Sequence, residues 1–140
     1  MIHLMKLAVG VRDLAHMQAY QADRLARGET LQHHTRNFPK RAAEITDGGS
    51  IYWVISGSLL ARQLVTDIVE AQWDDGSKCA ALMLHPVLVP LAGRPTKPFQ
   101  GWRYLAAPDA PPDLARAGEA KGADALPGAL RRELETLGLL

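Results

Sequence analysis

Between Ser50 and Leu84 the chain is dense in β-branched and aromatic residues, and turn residues break it at Gly57-Ser58 and at Asp74-Asp75-Gly76. Such side chains fill a pleated, half-buried surface, and an Asp-Gly pair supplies the positive φ angles of a tight hairpin. The pattern predicts a three-stranded antiparallel meander: Ser50 to Ser56, Leu59 to about Gln72, and Ser77 to Leu84. Apolar side chains on both faces mean that this sheet curls into a small barrel or is covered by a helix. One competing reading is helical spacing through Leu60, Leu64 and Ile68. The expected core is Ile51, Trp53, Ile55, Leu82 and Leu84.

The flanking segments fit an α+β domain. Residues 2–9 read as a strand. Asp13 caps a helix to about Arg27, with Leu14, Met17 and Leu25 on one face and Gly28 ending it. Leu31 to Arg36 reads as a short extended piece. Pro39 suits the first turn of a short helix through Ile45, because its missing N–H costs nothing there. Asp47-Gly48-Gly49 is a turn. Residues 86–98 hold Pro86, Pro90, Gly93, Pro95 and Pro98, which predicts a loop across one end of the sheet. Phe99 to Leu105 reads as a strand whose alternation sets Gln100, Trp102 and Tyr104 against Phe99, Arg103 and Leu105. The single domain then spans residues 1–105, with a mainly antiparallel, barrel-like sheet and flanking helices. Residues 106–140 read as an Ala/Pro/Gly-rich loop and a last helix. Its Leu126, Leu130, Leu134 and Leu137 form a stripe that docks on the domain or on a second copy, giving a homodimer.

At 140 residues the chain is long enough for one real core, and its formal net charge of +1 gives little long-range steering. Any nucleic-acid site must then be a local patch. One cysteine, Cys79, excludes an intramolecular disulfide and fits a reducing cytoplasm. No apolar run approaches the roughly 20 residues that span a bilayer. The apolar start is interrupted by Lys6 and lacks the order of a secretion signal. A cytoplasmic location without membrane contact is the expectation.

Familiar catalytic patterns are missing. His33, His34, His85 and Cys79 do not have the spacing of a zinc site, so no metal is expected. Cys79 lies among apolar strand residues and reads as structural. Ser50 and Ser58 follow glycines but lack the Gly-x-Ser-x-Gly elbow. Gly48-Gly49 matches neither a phosphate loop nor a dinucleotide fingerprint. Glu44, Asp47, Asp74 and Asp75 stand at a helix end and a hairpin tip, not as an acid–base pair. No cofactor is expected.

Charge and aromatic rings coincide more clearly. Six of the eight Phe, Trp and Tyr residues lie in two stretches, His33 to Trp53 and Pro98 to Tyr104. Arg36, Lys40, Arg41, Arg94, Lys97 and Arg103 accompany them. Cations attract phosphate, and aromatic faces stack on bases. The plain alternative for Arg36, Lys40 and Arg41 is a solvated face. Trp53 reads as core, which leaves Tyr52 on the opposite strand face as a surface contact. Trp102 and Tyr104 stay open between core and surface. Arg62 is either half-buried and paired or reaches a ligand.

The strings His34-Thr35-Arg36, Pro39-Lys40-Arg41, Asp47-Gly48-Gly49-Ser50-Ile51-Tyr52-Trp53, Arg62-Gln63 and Phe99-Gln100-Gly101-Trp102-Arg103-Tyr104-Leu105 resemble the bacterial domain of unknown function 1489 family. That family name implies no activity. A helix, a basic segment, a Gly-rich turn and a strand–turn–strand unit ending in Arg-Gln are also similar to PUA and ASCH domains, small RNA-binding barrels. That second resemblance implies a cleft between barrel and helix that accepts RNA or a modified base, beside Arg36, Lys40, Tyr52 and Trp102.

The expected function is therefore RNA or single-stranded nucleic-acid binding. The expected contacts are His34, Thr35, Arg36, Lys40, Arg41, Tyr52, Arg62, Gln63, Gln100, Trp102 and Arg103. In particular, Arg36, Lys40, Arg41 and Arg103 are expected to share one surface with Tyr52 and Trp102. The alternatives are a small-molecule enzyme using His34, Arg36 and Arg103, and a homo-oligomeric interaction module.

Overall fold

One long strand organises the sheet. In the computed structural model, which describes residues 1–99 and 101–114, β4 runs from Ser58 to Gln72. It follows β3 (Ser50–Ile55) and precedes β5 (Lys78–Leu84), and both pairings are antiparallel. This is the expected meander, and the helical alternative for Leu59 to Val69 is excluded. Turn chemistry explains both corners. Gly57 and Gly76 have φ of +83° and +85°, conformations that a side chain disfavours. At the second corner the Asp75 carboxylate accepts from the Ser77 N–H at 2.9 Å.

The first strand, β1 (Ile2–Leu7), lies parallel to β3 and antiparallel to β7 (Trp102–Ala106). Another strand, β2 (Gln32–Thr35), adds to the far side of β5. The order is β2-β5-β4-β3-β1-β7, a mixed sheet. It is not closed into the expected barrel, because β2 and β7 do not pair. The segment between β2 and the short helix α2 (Ala42–Thr46) meets β7 there instead, through a bond from the Arg41 N–H to the Tyr104 hydroxyl. Pro39 does not open α2; it is buried in the turn before it, where its C=O accepts from Ala42.

Residues 86–98 correct another expectation. Val89–Pro95 forms β6, which pairs with Ser58–Arg62 of β4. Proline normally argues against a strand because it removes a ladder donor. Among the described residues β6 has β4 as its one strand partner, its other side meeting only a bridge at Asp113, and such edge strands tolerate the loss.

Apolar side chains divide into two clusters, one on each sheet face. The larger contains Leu4, Ile51, Trp53, Ile55, Leu82 and Leu84, which includes every core residue expected from sequence. Helix α1 (Leu14–Ala26) covers it, capped by Asp13, whose side chain accepts from the His16 N–H at 2.7 Å. Met17 is buried as expected, but Leu25 is 39 % exposed and Gln21 turns inward instead. The smaller cluster joins Tyr52, Val54, Leu59, Leu91 and Leu105. After β7, a 3-10 turn at Ala107–Asp109 leads to Asp113, which bridges to Leu91. Gly49 joins α2 to β3 so closely that a Cβ there would collide with the carbonyl oxygens of Ile2 and Ile45. The proposed leucine-striped helix and Gln100 lie outside the described residues.

Candidate functional site

The parallel pairing of β1 with β3 sets Lys6 beside Trp53, and the antiparallel pairing with β7 sets Lys6 beside Trp102. Directly paired residues share a sheet face, so Trp53, Lys6 and Trp102 form one row across three strands. The next row on that face is Ile51, Leu4 and Tyr104. Trp102 and Tyr104 meet edge to face at 4.9 Å. The Arg41 guanidinium lies 5.5 Å over the Tyr104 ring and is also bonded to Glu44 at 2.6 and 2.8 Å. Part of the first basic segment therefore meets part of the second.

One end of this belt opens into a cleft of about 370 Å³ between α1 and the sheet. Lys6, Trp53 and His33 line it from the sheet side, and Tyr20, Gln21 and Arg24 line it from the helix. Trp53 is held rigidly: its indole N–H donates to Gln63 Oε1 at 3.1 Å, and Gln63 exchanges amide bonds with Gln21 at 3.0 and 2.8 Å. Arg24 lies over Tyr20 at 5.4 Å and reaches Glu29 at 3.3 Å.

His33 stands edge-on to Trp53 at 5.2 Å, and its Nε2 is buried without a hydrogen-bond partner among the described residues. Burial first, then the charges of Lys6 and His34, lower its pKa from 6.5 to about 4. The ring is neutral at physiological pH. Because the unfolded chain takes up this proton first, stability is full above pH 6.5 and falls as pH drops towards 4. That loss is on the order of 3 kcal/mol if His33 acts alone. Urea unfolding across this range should show a clearly shallower acid limb in His33→Gln. An unchanged limb would mean that His33 is not desolvated.

The expected contacts do not form one surface. Arg36 and Lys40 are exposed in the turn between β2 and α2, close in sequence to Arg41 at the belt. Trp102 belongs to the belt. Tyr52 is only 4 % exposed and belongs to the smaller cluster on the opposite face, so it is not the expected surface contact. Arg103, paired with Met5, is on that opposite face too, 5.4 Å over Phe99. Strand alternation is the reason: Tyr52 and Arg103 each neighbour a belt residue in sequence.

Arg62 also points away from the belt and is held bidentately by Asp113 at 2.7 and 2.8 Å. Gln63 is fully buried and structural. Thr35 is buried, with its hydroxyl bonded to the Asn37 carbonyl at 3.1 Å. His34 sits 5.6 Å from Trp73. No hydrogen bond or ion pair joins His34, Arg36 and Arg103 among the described residues, and Arg103 lies on the sheet face opposite the belt. Sequence reading missed Lys6, His33 and Gln21. A lysine interrupting an apolar strand was the available signal for the first.

Among the described residues no group of three or more His, Cys, Asp or Glu is placed to hold a metal, and no helix is long and apolar enough to cross a membrane. No curated protein and no solved structure matches the chain. A family model described as a protein of unknown function, DUF1489, matches residues 4–140. With nearly its whole length matched, the chain belongs to the DUF1489 family.

Proposed function

We propose that this protein binds RNA or another single-stranded nucleic acid on the face that carries the belt and the cleft. The observation that supports this most is the Trp53–Lys6–Trp102 row running from the cleft towards Tyr104 and Arg41. Aromatic faces stack on any base, and interleaved cations neutralise the backbone between bases. The cleft volume lies near the lower end of small-ligand sites, enough for one unstacked base. In this reading Lys6, Arg36 and Lys40 meet phosphates, while Trp102 stacks and Trp53 walls the cleft.

Fluorescence anisotropy with mixed RNA and DNA oligomers at several salt concentrations tests the proposal. Affinity should fall steeply with salt, because bound cations displace condensed counterions. Lys6→Gln and Lys40→Gln should each weaken binding to every sequence and flatten the salt slope by about one unit. Trp102→Ala should cost about 1–3 kcal/mol of binding with little change in slope. Absence of binding at low salt, or indifference to the lysine substitutions, would remove this function.

A further inference from the structure

The opposite face of the sheet holds a second cavity, of about 390 Å³, that the nucleic-acid reading leaves unused. Tyr52 and Arg62 stand directly opposite one another in β3 and β4, and the His3 ring lies edge-on to Tyr52 at 4.9 Å. The segment after β7 closes one side. Pro112 accepts from the Ala92 N–H at 3.1 Å, and the next residue, Asp113, brings its carboxylate onto Arg62. Pro111 and Pro112 join the lining.

Hydrogen-bond accounting shows what is left over. The Ser50 N–H donates to His3 Nδ1 at 3.0 Å, which occupies that lone pair. Burial, together with the Arg62 charge, lowers the His3 pKa, so the ring is neutral and its one proton is on Nε2. Arg62 commits three of its five N–H groups, two to Asp113 and one to the Ser50 hydroxyl at 3.0 Å. Asp113 keeps free lone pairs after accepting from Arg62. The Tyr52 hydroxyl has no hydrogen-bond partner among the described residues. The lining therefore offers a neutral N–H donor, a phenol that donates or accepts, and a carboxylate acceptor. Arg62 and Asp113 cancel in charge, so a charged ligand gains little there.

We infer that this cavity binds a small uncharged molecule carrying a vicinal diol, whose hydroxyls bond to Asp113, Tyr52 and His3. A hydroxyl both donates and accepts, which matches this mixed lining, and a carboxylate is a familiar partner for ribose hydroxyls. Tyr52, Pro111 and Pro112 supply the apolar part of the lining, suited to the C–H groups of a sugar ring. The volume lies within the range of small-molecule sites. Such a diol is carried by a free monosaccharide or by a ribonucleoside. This inference does not depend on nucleic-acid binding, because it uses the other sheet face.

Saturation-transfer NMR on the full chain is the test, with methyl ribofuranoside, adenosine and their 2-deoxy counterparts as probes. At least one diol-bearing probe should receive saturation, and its deoxy counterpart should bind about tenfold more weakly or less. Signal from the ribofuranoside assigns the site to free sugars, and signal from adenosine alone assigns it to nucleosides. Tyr52→Phe, which keeps the ring and removes the hydroxyl, should lower affinity, as should Asp113→Asn. Should Asp113→Asn lose its fold by near-UV circular dichroism, Tyr52→Phe alone carries the test. The inference falls if no diol probe binds at millimolar concentration, if deoxy probes bind equally, or if folded Tyr52→Phe binds unchanged.

Discussion

Replacing Gln63 by alanine is expected to cost at least about 3 kcal/mol, because one amide serves three partners. Gln63 accepts from the Trp53 indole N–H, exchanges bonds with the Gln21 amide, and donates to the His85 carbonyl at 3.1 Å. Truncation leaves the first two buried without partners, and an unsatisfied buried polar group costs about 1–3 kcal/mol. The loss of packing at a fully buried site adds to this. Urea unfolding measures the effect. Gln21→Leu combined with Gln63→Leu should cost less than the sum of the single changes, since each single change orphans the amide of the other. A loss below about 1 kcal/mol for Gln63→Ala would mean that water already reaches this network.

Trp53→Ala should be at least as damaging, at about 3–5 kcal/mol, the usual range for a core aromatic. The indole is 4 % exposed and packs in the larger cluster among Ile51, Ile55 and Leu82. Its loss also removes the wall of the α1 cleft and the ring against which His33 rests. Because Trp53 and Gln63 share a hydrogen bond, their double variant should be less destabilised than the two losses added together. Equilibrium unfolding by circular dichroism is sufficient. A change under about 1 kcal/mol would place Trp53 outside the core.

The meander and the core were legible because β-propensity, hairpin chemistry and strand alternation agree across residues 50–84. Closure was not legible. Whether a two-faced apolar sheet becomes a barrel depends on how its outermost strands meet, and no local pattern encodes that β2 and β7 stay unpaired. The proline-bearing strand β6 was hidden for a related reason. Proline reads as a breaker until the sheet is known to have an edge there. For the candidate site, clustering in sequence was a partial guide. It linked Arg41 with Trp102 and Tyr104, yet alternation sent Tyr52 and Arg103 to the other face. The interrupted apolar strand hinted at Lys6, but its place beside Trp53 came from the pairing of β1 with β3, and that of His33 from its ring contact with Trp53.

The position of β1 shapes how this chain must assemble. Leu4 pairs with Ile51 and with Tyr104, which lie 47 and 100 positions further along the sequence. The meander needs only short loops to close, whereas β1 joins partners from distant parts of the chain, β7 across most of the described residues. Long closures slow folding, so the pairing of β1 with β7 is expected to form after the meander. Until β1 inserts, β3 lacks its parallel neighbour, β7 lacks the strand it pairs with, and the Trp53–Lys6–Trp102 row does not exist. The belt is thus a product of long-range closure, and a chain in which β1 has not inserted exposes the edge of β3 in its place.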